Sequence, residues 1–119
     1  MFNGLHWLIV SLAILIPAQP QYVVEIGNVQ LAQSLPAVVR DPAGEPLPGV
    51  LVEEFNSDWK ESLRSTTTDV AGVFKFAPSK GRNVYHFQLR LNGFNPLRVR
   101  VRVDPKRGKE LQLQLELAT

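Results

Sequence analysis

Residues 84–103 are VYHFQLRLNGFNPLRVRVRV. Tyr85, Phe87, Leu89 and Leu91 alternate with His86, Gln88 and Arg90, and Leu97, Val99, Val101 and Val103 alternate with Arg98, Arg100 and Arg102. Strict period two puts every apolar side chain of a strand on one face, the pattern of a half-buried antiparallel sheet. Asn92-Gly93 supplies the turn between the two runs. A third run follows in ELQLQLEL at 110–117, after the turn Asp104-Pro105-Lys106-Arg107-Gly108. Pairing Leu91 with Leu97, and Val103 with Leu111, brings all three apolar sets to one side, as a meander requires.

The same alternation of short β-rich runs and turns extends back to residue 35. Seven strands are expected, near 35–40, 50–56, 62–68, 73–77, 84–91, 97–103 and 110–117. Asp41-Pro42-Ala43-Gly44 carries Asp, Pro and Gly where a type I turn prefers them, and Asp69-Val70-Ala71-Gly72 repeats the Asp and Gly. Asp41, Gly44, Asp69, Gly72 and Gly93 are therefore read as structural turn residues. Pro36 cannot donate to a ladder, which predicts that the first strand lies at a sheet edge. At most one helical turn fits, at Ser57–Ser62. The expected fold is all-β: a seven-stranded antiparallel Greek-key sandwich over 34–119. Residues 19–33 serve as a tether or an extra edge strand.

Leu5–Ala18 is almost wholly apolar, shorter than the roughly 20 residues a membrane span needs. Residues 1–18 are read as a secretory signal, cleaved after Ala18 or kept as an apolar helix, and the chain as exported: secreted, periplasmic or in the cell envelope. Any membrane contact would be made through that segment. The 119 residues include no cysteine, which removes disulfides, thiolate metal sites, a thiol nucleophile and a lipidated anchor.

Three stretches carry a family resemblance: VVRDPAGEPLPGVLVE at 38–53, TTTDVAGVFKF at 66–76 and LNGFNPLRVRVRV at 91–103. Together they resemble the carboxypeptidase regulatory-like domain, a seven-stranded sandwich of transthyretin-like (prealbumin-like) type within a wider carbohydrate-binding-like fold group. The matching positions are Asp41, Gly44, Pro48, Gly49, Val50, Val52, Thr68, Asp69, Gly72, Phe74, Gly93 and Phe94. Ala37 stands where that pattern usually has a glycine, and Pro78-Ser79-Lys80-Gly81 replaces its usual prolines and glycine before the fifth strand. The resemblance implies a non-catalytic accessory or interaction module, common in exported bacterial proteins. Transthyretin-like hydrolases resemble the same fold but use a His and Arg cluster with a serine-rich C-terminal motif, and this chain ends LQLQLELAT. The isopeptide crosslink of exported adhesin repeats is also absent, because 111–117 holds no asparagine and the first strand no lysine.

Chemistry-bearing residues are few. His86 is the one histidine after the leader, and no G-x-S-x-G elbow accompanies the serines. No catalytic residue, metal site or cofactor is expected; the Asp-Gly turns lack the converging oxygens calcium needs. Charge is uneven: residues 1–79 hold 4 basic and 8 acidic side chains (net −4), and residues 80–119 hold 9 and 3 (net +6). The expected register sets Arg90, Arg98, Arg100 and Arg102 on one outer face, with Arg90 opposite Arg98 and Glu116 on the other side. That face is a solvated surface, or it receives an anionic polymer. Nucleic acid is not expected, since the face offers no aromatics for stacking. Trp59, in the polar stretch 56–61, either plugs the open end of the sandwich or meets a partner. The partner would be a protein or an extracellular glycan.

Overall fold

The computed structural model describes residues 22–119; the leader of the sequence reading lies outside them. Eight strands form in chain order: β1 (Val24–Glu25), β2 (Gln30–Arg40), β3 (Leu51–Phe55), β4 (Ser62–Thr67), β5 (Val73–Phe74), β6 (Val84–Arg90), β7 (Leu97–Val103) and β8 (Lys109–Gln114). No helix occurs among the described residues. The strands make one curled, mixed sheet in the order β4-β3-β6-β7-β2-β5, with β1 paired to β7 and β8 to β2. One core fills the curl, lined by Val39, Val50, Val52, Phe74, Phe87, Leu89, Val99, Val101 and Leu115, each no more than 1% exposed.

This differs from a seven-stranded antiparallel Greek key in an eighth strand, β1, which runs parallel to β7, and in two parallel pairings made by β2. Its first residues, Gln30–Ala32, run parallel to Val101–Val103 of β7. A register shift between Ala32 and Ala37 then carries the strand away from β7, and Ala37–Arg40 run parallel to Leu111–Gln114 of β8. On its other side Ala37 and Val38 pair with β5. Pro36 therefore marks a bulge where the strand changes neighbours, not a sheet edge; the missing N–H falls where the ladder is already broken.

The expected meander is half right. β6 and β7 form an antiparallel hairpin, but Leu89, not Leu91, meets Leu97. The two-residue offset keeps the parity, so Tyr85, Phe87, Leu89, Leu97, Val99 and Val101 all face the core. The hairpin closes early because its loop has other partners: Asn95 N–H donates to Glu116 O (2.8 Å) and Ala118 N–H to Gly93 O (2.9 Å). Gly93, at φ 91°, makes that loop's turn. β8 does not return alongside β7. The turn at 104–108 crosses β2, with Asp104 N–H donating to Ala32 O (2.8 Å), and delivers β8 to the far half of the sheet.

Two turns of identical construction close the end carrying the 41–49 loop. Asp41 Oδ1 accepts from Ala43 and Glu45 N–H, both 2.9 Å, and Asp69 Oδ1 accepts from Ala71 (2.9 Å) and Val73 (3.0 Å). Each Asp carbonyl also takes the N–H of the glycine three residues on, Gly44 at 3.0 Å and Gly72 at 2.9 Å. Both glycines have positive φ, but only Gly72 is also enclosed: a Cβ there would stand 2.6 Å from Val39 O.

Candidate functional site

The outer face of β3, β6 and β7 is organised by register. Gln88 lies opposite Arg98 and His86 opposite Arg100 on β7, while Glu53 and Phe55 of β3 meet Gln88 and His86 from the other side. Arg90 pairs with Leu51, not with Arg98, so the like-charge pair expected from the sequence does not form. Glu116 is likewise no neighbour of this face; the carboxylate beside Arg98 belongs to Glu25 on β1. Of the five residues singled out as contacts, Trp59, Arg98 and Arg100 line one groove of about 330 Å³. Arg90 lies in a separate hollow with Leu51 and Phe94, and Arg102 in a third with Arg82 and Tyr85.

Trp59 reaches the groove through the β3–β4 loop. Asn56 Oδ1 accepts from Lys60 and Glu61 N–H, both 3.1 Å, and Asp58 Oδ1 accepts from Lys60 N–H (3.0 Å). Asn56 O takes the Trp59 N–H (3.0 Å), and the tight loop holds Trp59 at φ 63°. Among the described residues it is the one non-glycine with positive φ. The left-handed region costs a residue with a Cβ about 1–2 kcal/mol, and such strain persists where surrounding structure enforces it. The half-buried indole lies neither over the open end nor free in solvent. It rests on the outer face, 5.2 Å edge-on from His86 and 6.0 Å from Phe55, with the Arg98 guanidinium carbon 4.9 Å from its centroid. The face therefore carries aromatics after all, supplied by a loop and by β3.

Arg98 is held on three sides. Its Nε donates to Gln88 Oε1 (2.8 Å), its Nη1 stands 3.5 Å from Glu25 Oε1, and its plane lies over the indole. Gln88, on the outward side of β6, is nevertheless only 2% exposed. Arg100 Nη2 donates to the Gly27 carbonyl. Burial, then the charge of Arg100, hold the His86 imidazole below its ordinary value against an opposing pull from Glu54. A neutral imidazole, an indole and two guanidiniums can grip a group by charge and shape; nothing among them is arranged as nucleophile and base.

A second cluster was not anticipated. Val50, Val52 and Glu54 share the inward parity of β3, and Glu54 is 0% exposed. Arg64 Nε, on β4 directly opposite, donates to Glu54 Oε1 at 2.6 Å. Arg82 Nε stands 2.9 Å from Oε2, close enough for an ion pair but without a hydrogen bond's alignment. Arg64 also covers the Phe76 ring at 4.7 Å and Arg82 the Tyr85 ring at 5.9 Å. The signal was present in the sequence: with Val50 and Val52 facing in, period two forces Glu54 in as well.

A model of the carboxypeptidase regulatory-like domain matches residues 34–116. Trp59, His86, Arg98 and Arg100 fall inside that span, whereas the groove wall formed by Glu25 and Gly27 precedes it. A search of curated proteins finds no match to the chain.

Proposed function

The chain belongs to the carboxypeptidase regulatory-like domain family, a non-catalytic β-sandwich kind, and from that premise we propose that it is an exported module that acts by holding a protein partner. Export rests on the apolar run Leu5–Ala18. The observation that carries the binding reading is Trp59: a loop spends backbone strain to lay an indole on a charged sheet face beside a groove. Tryptophan and arginine are the residues that most often dominate binding energy at interfaces, and here they are stacked together.

A sugar or anionic polymer in the same groove is the second reading, favoured by the indole and by the net charge of +6 over residues 80–119. It is weakened by the ring's engagements, since Arg98, His86 and Phe55 crowd the surface on which a sugar would stack.

The test is a photo-crosslinking residue at Ser57, which lines the groove, and another at Val70, which is 88% exposed and lies elsewhere. In native extracts the Ser57 probe is expected to capture a discrete protein that the Val70 probe does not. Equal capture from both sites, or none from Ser57, contradicts the reading.

A further inference from the structure

The groove contains an internal example of what its two arginines accept. β1 runs parallel to β7 with Glu25 in register with Arg98. The Glu25 carboxylate approaches the Arg98 guanidinium, and two residues on the Gly27 main-chain carbonyl accepts from Arg100. Arg98 and Arg100 are themselves two residues apart on one face. A carboxylate side chain and, two residues later, a peptide carbonyl are the groups that an extended acidic peptide presents.

The internal segment fills the Arg98 half of this receptor weakly, while its main chain is held by Arg100 and by β7. β1 has two paired residues, Glu25 is 63% exposed, and its oxygen stands 3.5 Å from Nη1, beyond good hydrogen-bond distance. Arg98 is otherwise ready for an anion. Gln88 uses its Nε–H and Trp59 supports its plane, so the Nη hydrogens remain for a carboxylate in the fork geometry that guanidinium favours.

We propose that Arg98 and Arg100, backed by Trp59, form a receptor for an acidic, extended peptide segment of the protein partner, and that Glu25–Gly27 occupies part of it in cis. The inference rests on the interaction reading above and names the chemistry of the partner. Arg98 takes a carboxylate side chain in place of Glu25, and Arg100 takes a main-chain carbonyl in place of Gly27. A peptide is favoured over a glycan because the second arginine already holds an amide carbonyl and the indole is engaged by its neighbours.

The test is fluorescence anisotropy of a labelled hexaglutamate peptide titrated with the full chain, alongside hexaglutamine and an oligogalacturonate. Hexaglutamate is expected to bind, more weakly as salt rises, and hexaglutamine is not. Arg98→Ala should weaken binding about tenfold or more. Arg98→Lys, which keeps the charge and loses the planar fork, should weaken it by a smaller factor. Glu25→Gln should tighten it about threefold by removing the internal competitor. Arg90→Ala, outside the groove, should leave it unchanged.

Failure of hexaglutamate to bind overturns the proposal, as does equal loss in Arg90→Ala and Arg98→Ala. Oligogalacturonate binding more tightly than hexaglutamate, and lost in Arg98→Ala, overturns it in favour of an acidic-sugar site. Hexaglutamate added to the Ser57 crosslinking experiment separates the two readings. A captured protein that hexaglutamate does not displace overturns the acidic-peptide inference and leaves the interaction reading standing. Arg98-dependent hexaglutamate binding with no captured protein overturns the interaction reading while upholding the receptor chemistry.

Discussion

Two arginine–aromatic–carboxylate clusters lie on opposite sides of β3 and β6, built from the same parts to different ends. On the inner side Glu54 is 0% exposed and two guanidiniums converge on it, each over an aromatic ring. On the outer side two guanidiniums face a groove, one of them over an indole, and the nearest carboxylate, Glu25, is 63% exposed. A buried carboxylate without its partners pays heavily for desolvation, so the inner cluster is bound to its geometry. The Glu25–Arg98 pair is exposed on its carboxylate side and worth little, so Arg98 can exchange that partner at small cost. The arginines are about equally exposed in both; solvent access to the carboxylate makes one cluster a lock and the other a receptor.

The largest expected effect follows from breaking the lock. Glu54→Gln leaves Arg64 and Arg82 without a counter-charge and should cost about 3 kcal/mol in urea unfolding, toward the low end for a broken buried pair because both arginines keep some contact with water. A loss below about 1 kcal/mol would mean the inner cluster is no more structural than a surface pair.

Trp59→Gly sharpens the contrast from the other side. Glycine relieves the positive-φ strain, about 1–2 kcal/mol, while losing the half-buried indole's packing on Phe55 and His86 and its contact with Arg98 costs about 2–3 kcal/mol together. Net stability should fall by about 1–2 kcal/mol in the same unfolding assay, less than for Glu54→Gln, while hexaglutamate binding falls. Smaller again is Glu25→Gln, for which less than about 0.5 kcal/mol of stability should change.

The weakest effect concerns pH. His86 sits below its ordinary value in the folded chain, chiefly through burial and then through Arg100. On acidification the unfolded chain therefore takes up the proton first. The His86 contribution is flat above the ordinary value of 6.5, and stability falls as pH drops below it toward the folded value, then levels off. Urea midpoints measured across that range should show a decline that His86→Gln reduces.

Much of the fold was legible because alternation reports which side of a strand is buried. Tyr85, Phe87, Leu89, Val99, Val101, Leu111, Leu113 and Leu115 are all in the core, as their parity requires. Parity does not report which strand lies alongside. Leu111 and Leu113 satisfy the same apolar face beside β7 or beside β2, and only the crossing of the 104–108 turn over Ala32 decides for β2. The same limit applied to the site. The two arginines of the groove were visible as outward residues, but their partners come from β1 and from a loop whose course depends on the Asn56 and Asp58 side chains. A register offset of two residues was enough to replace an imagined Arg90–Arg98 repulsion with the Gln88–Arg98 hydrogen bond.

The most direct test measures unfolding free energy and hexaglutamate affinity together on Arg82→Ala, which loosens the inner cluster, and Arg98→Ala, which empties the outer one. A crossed result is expected: Arg82→Ala loses stability and keeps its affinity, whereas Arg98→Ala loses affinity and only the roughly 1–2 kcal/mol of stability that goes with the buried Gln88 acceptor. Affinity lost in Arg82→Ala while Arg98→Ala binds as wild type would contradict it.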